Sequence, residues 1–235
     1  MSENKRKLLG RIWLAPGALC LVFSLQVCAA EAEAETHDIN GGFEKTATVT
    51  KYEDEYRRWV KDGHDDLPDP VVKAVGWHPQ DAGEQKWKME IVTDEEKAHS
   101  GKNFLKLTGG RVYYYNWPYS DVRVKPGDEV TLSMWAKGGE DAGFTVEFYQ
   151  YGLNKEGKIT NLYNVPGAQY MPLTNQSITS EWKEYAAKYP VPSETDRTVE
   201  GSTVCRVSPA LHRVRGEVCF DDVTLVIKRA PSAAE

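Results

Sequence analysis

The densest run of rings in the chain is Tyr113-Tyr114-Tyr115-Asn116-Trp117-Pro118-Tyr119. In an extended strand Tyr113, Tyr115 and Trp117 line one face. Rigid rings with polar edges suit the flat faces and the hydroxyls of a pyranose. A second segment, Phe144–Tyr151, alternates cleanly. Phe144, Val146 and Phe148 share the side that suits a core. Thr145, Glu147, Tyr149 and Tyr151 share a wetter side that still presents rings. Tyr113, Tyr115, Trp117, Glu147, Tyr149 and Tyr151 therefore make a candidate carbohydrate cleft, with Gln150 beside it, because a few polar groups among apolar walls orient most ligands. The opposing reading stays open: aromatic-rich strands commonly build cores, and these rings would then only hold the fold.

Other chemistry is missing from the sequence. There is no HExxH, no G-x-S-x-G and no Gly-rich phosphate loop. The five histidines, at positions 37, 64, 78, 99 and 212, show no metal-ligand spacing. Carboxylates are plentiful, but none is singled out as half of an acid pair for glycoside hydrolysis.

The elements that must position these side chains are short strands. Trp87–Thr93, Asn103–Thr108, Val112–Tyr115, Ser120–Val124, Glu129–Lys137, Phe144–Tyr151, Trp182–Tyr189, Thr203–Val207 and Val218–Lys228 carry β texture, with Gly and Pro turns between them. Such spacing points to a sandwich or barrel. Tyr52 to Lys61 reads as one short helix, with Tyr52, Tyr56 and Trp59 on a shared face. Trp87, Trp135 and Trp182 read as core, and Trp59 as the contact that seats the helix.

Residues 1–30 read as a secretory signal peptide. Lys5, Arg6, Lys7 and Arg11 precede an apolar run from Ile12 to Val27, and Cys28-Ala29-Ala30 offers small residues for cleavage. A lipoprotein reading would modify Cys28, but Val27 is the wrong size for the position before it. No other segment approaches the length of a membrane span. Residues 31–38 read as a linker, 39–228 as one domain and 229–235 as a tail. The expected location is secreted, periplasmic or cell envelope, where other envelope components are further potential partners. After residue 30 the chain holds 25 basic and 34 acidic residues, a net charge of −9. An acidic chain without a basic run is a poor nucleic-acid binder. Of the four cysteines only Cys205 and Cys219 follow the leader. In an oxidising compartment an even pair is a disulfide candidate, here joining two segments read as neighbouring strands connected by 208–216. Two buried free thiols are the alternative.

Several pieces occur in a telling order: Asn40-Gly41-Gly42-Phe43-Glu44, Trp77, His99 to Leu107, Val122 to Asp128, Thr131 to Lys137, Glu181 to Tyr185 and Cys219 to Leu225. The chain over 39–228 resembles the CenC-type carbohydrate-binding modules of families four, nine, sixteen and twenty-two. The resemblance implies an all-β sandwich, a galactose-binding-domain-like jelly roll, with the helix near 52–61 as an insertion. It implies a non-catalytic module that binds a polysaccharide or glycan. It also implies a structural calcium held by Gly42, Glu44, Lys102 and Asp221, oxygen donors of the kind a hard cation takes. His99 stands where some members carry an acidic residue, and imidazole is a poor calcium ligand. Two rival readings are a cell-envelope structural or adhesion domain that keeps the fold without the sugar site, and a glycan lyase or hydrolase built on a jelly roll.

Overall fold

The structure is a computed structural model that describes residues 33–61, 67–80, 87–114, 122–153, 156, 159–161, 169–192 and 204–231. The expected signal peptide, Tyr115 and Trp117 lie outside the described residues. Every element belongs to one compact unit, Ala32–Glu235. In chain order the elements are β1 (Ala34–His37), β2 (Thr46–Val49), α1 (Asp54–Lys61), β3 (Val71–Ala74), β4 (Trp77–Gln80), β5 (Lys88–Thr93), β6 (Asn103–Thr108) and β7 (Arg111–Tyr114). They continue as β8 (Glu129–Gly138), β9 (Gly143–Leu153), β10 (Ile159–Asn161), β11 (Gln169–Ser177), β12 (Lys183–Pro190), β13 (Val204–Arg215) and β14 (Glu217–Lys228).

Two antiparallel sheets form a jelly-roll sandwich. The back sheet runs β12-β8-β14-β6-β5, with β1 on the far half of β14. The front sheet runs β10-β9-β13-β7-β4, with β11 also on β9. The period-two pattern explains the layering. Leu132, Met134 and Ala136 of β8 are buried, while Thr131, Ser133 and Trp135 between them are partly exposed. Phe144, Val146 and Phe148 of β9 meet the back sheet from the other side, with Phe144 edge-on to Phe220 at 5.1 Å.

Helix α1 follows a turn closed by Glu53, whose carboxylate accepts from the Thr50 N–H at 2.8 Å and whose N–H donates to the Thr50 carbonyl. Its Tyr56 and Trp59 are buried, and Trp59 meets Trp87 edge-on at 5.9 Å. The small β2–β3 sheet carries Lys73, which reaches Glu55 of the helix.

Several expectations change. The stretch read as a linker contains β1, because a pairing partner was free along β14. The tail begins with anchored residues: Arg229 donates to Asp128 at 2.9 Å, and the Ala230 N–H reaches the same carboxylate. Of the stretch expected as a strand over Ser120–Val124, the described residues 122–124 form an isolated bridge at Arg123 rather than a named strand. The Cys205–Cys219 bridge does not fit the strand arrangement. Residues 208–215, read as a connection, continue β13, so the hairpin to β14 turns at Gly216. Cys205 lies ten residues before that turn's strand end, roughly 30 Å along β13. Cys219 lies just after the turn, opposite Lys106 and Lys137 in the other sheet, and is a free thiol. A disulfide needs Cα atoms within about 7 Å. Burial raises the Cys219 thiol to about 11.

Candidate functional site

The outward face of the front sheet is built by two long strands in register. β9 turns Thr145, Glu147, Tyr149 and Tyr151 outward, and β13 sets His212, Ala210, Ser208 and Arg206 directly opposite them. Across β13, Ala210 pairs with Tyr113 of β7, and Tyr113 pairs with His78 of β4. Glu147, Ala210, Tyr113 and His78 therefore occupy one row across four strands, about 14 Å long at the usual strand spacing.

A polar cluster occupies the β9 end of that row. Tyr149 Oη donates to Glu147 Oε2 at 2.5 Å. His212 Nδ1 lies 2.5 Å from the same oxygen, with both side chains almost wholly buried. Thr145 Oγ1 accepts from the Asn175 N–H at 3.1 Å, where β11 bulges against β9. This face was expected to be wet, yet Glu147 is 0% and Tyr149 3% exposed; Tyr151 is half-buried. A carboxylate in such surroundings is held by hydrogen bonds and charge because its own desolvation is costly. Gln150 is buried and pairs with Val207 on the inward-facing set, so it does not share the face of Glu147.

The far end of the row is held by the helix. His78 Nδ1 lies 2.9 Å from Glu55 Oε1, and Lys73 Nζ lies 2.7 Å from both Glu55 oxygens. Burial opposes ionisation of Glu55, but the hydrogen bonds from His78 and Lys73 outweigh it and bring the carboxyl down to about 2. An ionised Glu55 accepts, so the imidazole proton sits on Nδ1 and orients the ring.

His212, Ser208, Arg206 and His78 escaped the sequence reading. The signal for the first three was present, since Ser208, Ala210 and His212 alternate with Pro209 and Leu211. Pro209 reads as a strand breaker and hid the pattern. Nothing local marked His78, which the β4–β7 pairing brings to the row.

Residues 72–203 match the carbohydrate binding domain family, more than half of the chain. The chain belongs to this family. No curated protein matches it. Among solved structures, the chain is similar to the CBM22-1 xylan-binding domain of Paenibacillus barcinonensis Xyn10C at 12% identity and TM-score 0.40, covering 66% of this chain and 88% of that one. It is similar to the CBM22-1–GH10 modules of a Clostridium thermocellum xylanase complexed with xylohexaose at 18% identity and TM-score 0.42, covering 68% and 27%. An apo cyclase from Fischerella sp. aligns at 16% identity and TM-score 0.47, covering 85% and 98%.

In this carbohydrate-binding domain, Gly42, Glu44, Lys102 and Asp221 meet at one corner of the back sheet. Gly41 is forced there, because a Cβ would sit 1.6 Å from the Val223 carbonyl oxygen. Gly101 adopts φ +59° in the turn that faces Glu44. The corner is wired by N–H donors. Glu44 Oε1 accepts from the Lys102 and Asn103 N–H groups at 2.7 and 3.0 Å, and its Oε2 from Asn103 Nδ2 at 3.2 Å. Asp221 accepts from the His99, Ser100 and Asp222 N–H groups at 2.8, 3.1 and 2.8 Å. The Lys102 carbonyl accepts from the Asp94 N–H. These N–H donors tie the corner together as a hydrogen-bonded latch. Burial pushes Asp221 up to about 6 despite the N–H groups.

Trp135 and Trp182, expected in the core, lie half-buried on the outside of the back sheet. His99 stacks on Trp135 at 3.9 Å, and Lys137 Nζ sits 4.4 Å from the Trp182 ring centre. Rings and cation satisfy one another there. Among the described residues no helix is long and apolar enough to cross a membrane.

Proposed function

We propose that the chain is an exported, non-catalytic module that binds a polysaccharide or glycan on the outward face of the front sheet. The family supports binding as the activity. The observation that carries the location is the Glu147–Tyr149–His212 cluster, set beside the Tyr151 ring and in one row with Tyr113 and His78. The rings at positions 113, 115, 117 and 151 offer stacking area, His78 meets the chain at the other edge, and the buried Glu147 orients Tyr149 and His212 behind that surface. The charged start and apolar run of residues 1–30 support export to the periplasm, envelope or medium.

A glycan array followed by calorimetry tests the reading. Glu147→Gln keeps the shape and removes the charge. It should weaken binding of a positive glycan about ten- to a hundred-fold, the scale of a central anchor, with the circular dichroism spectrum unchanged. Unchanged affinity would remove the site from this face. The burial of Glu147 and Tyr149 favours a second reading, a scaffold or adhesion domain of the envelope. An array with no positive glycan would select it.

A further inference from the structure

The middle of the front sheet's outward face is closed off: Thr145, Glu147, Tyr149, Ala210 and His212 are all buried. Contact with a ligand therefore falls to exposed groups around it. Among the described residues, five other than glycine adopt a positive φ: Asn40, Phe43, Asn175, Arg213 and Asp222. Asn40, Phe43 and Asp222 belong to the latch corner of the back sheet. The other two, Asn175 and Arg213, lie on the two strands that flank β9, at the level of the paired Thr145 and His212.

Both sit in bulges. In β11, Thr174 and Asn175 stand against Thr145 alone, between the Leu173–Val146 and Gln176–Phe144 pairs. The Asn175 N–H donates to Thr145 Oγ1 at 3.1 Å, which fixes this bulge. In β13, Arg213 and Val214 stand against Phe144 alone, between the His212–Thr145 and Arg215–Gly143 pairs. Asn175, Arg213 and Arg215 are exposed. Arg215 is already aimed: its Nε donates to the Asp141 carbonyl at 2.8 Å, and its guanidinium lies across Gly143, where a Cβ would stand 2.9 Å from Nη2. β11 and β13 run about 10 Å apart across β9, a gap that an oligosaccharide bridges.

A left-handed backbone strains any residue that has a Cβ, and glycine would hold either bulge without that strain. What glycine lacks is the planar amide of Asn175 and the guanidinium of Arg213. Bulges re-aim such groups beside binding sites, where strained residues gather. Amide and guanidinium both present paired N–H donors to neighbouring hydroxyls. The two guanidinium charges lie among exposed carboxylates, Glu140 and Asp141 in the turn before β9 and Glu217 just after the hairpin, in a chain that carries −9 beyond residue 30. A polyanion gains little from such a field, whereas the hydroxyl pairs of an uncharged sugar suit the donors.

We infer that Asn175, Arg213 and Arg215 form a recognition rim for a neutral oligosaccharide at this end of the front sheet. The inference rests on the glycan-binding reading above and adds the contact residues and the ligand class.

The test titrates cellohexaose, xylohexaose and mannohexaose calorimetrically into the full chain, with a glycan array alongside. At least one hexaose should bind. Asn175→Gly and Arg213→Gly relieve the strained backbone, so each should hold or raise the melting temperature. Each should nevertheless weaken the hexaose about ten-fold, the scale of a single contact group, and Arg215→Gln should do the same. Unchanged affinity in the three variants overturns the rim. So does a loss of affinity that comes only with a fall in melting temperature, because the side chains then merely hold the bulges. Failure of all three hexaoses beside a positive array overturns the inference and leaves the glycan-binding reading standing. A blank array removes both.

Discussion

Glu147 and Asp221 are both 0% exposed, one on each sheet, and both face away from the core between the sheets. Their partners differ. Asp221 is met by three backbone N–H groups, from His99, Ser100 and its neighbour Asp222. Glu147 is met by side chains, Tyr149 and His212 among them. Backbone donors are placed by the fold and cannot leave without unfolding a turn. Phenol and imidazole groups are placed by side-chain packing, which a substitution can change without unfolding a turn. A carboxylate held by backbone is therefore a latch, and one met by side chains is the more easily altered by substitution.

The largest effect that tests this contrast is on stability. Asp221→Ala leaves three donors at the corner without an acceptor and should cost about 3 kcal/mol in chemical denaturation. Glycan affinity should stay the same, because the latch is on the other sheet. A loss of binding in a folded Asp221→Ala protein would erase the distinction.

The next effect is on pH dependence. Asp221 has a folded pKa of about 6, above its unfolded value, because burial opposes its charge. Its contribution is fully present below the unfolded value near pH 4 and is lost as pH rises through about 6. Glu55 runs the other way. Burial opposes its charge, but His78 and Lys73 lower it to about 2, so its contribution is present above pH 4.5 and is lost as pH falls toward 2. Stability from these two groups should therefore peak between about pH 4 and 5. Asp221→Asn should flatten the limb above the peak, and Glu55→Gln the limb below it. A limb unchanged by its own substitution would show that the carboxyl does not titrate as its surroundings dictate.

The smallest effect is a null one. With N–H donors facing the oxygens of Glu44 and Asp221, excess chelator should leave the melting temperature unchanged within a degree or so. A ligand that binds only the folded state would raise it by mass action, so a clear drop on chelation would show that the corner rearranges around calcium.

Much of the fold was legible because its signals are local. The alternation in Phe144–Tyr151 and Thr131–Lys137 assigns each residue to a face. Tyr56 and Trp59 announce the helix by falling on one face, and the Asn40 to Glu44 motif announces the corner that Gly41 and Gly101 make possible. The candidate site was half legible. Glu147, Tyr149 and Tyr151 were picked out from one strand's pattern, but the strand beside them was cut short at Val207.

What the sequence determined by itself is the sandwich, its inward faces and the family, since strand period, turn residues and ordered motifs are properties of short windows. Only the tertiary structure decided which residues share a face across strands. Register joins His212 to Glu147 and Arg123 to Arg206 over 65 and 83 residues of chain, and no local pattern encodes such a pairing. It also decided that Cys219 stands far from Cys205, because a strand that runs on for eight more residues carries the two ends of a hairpin arm apart.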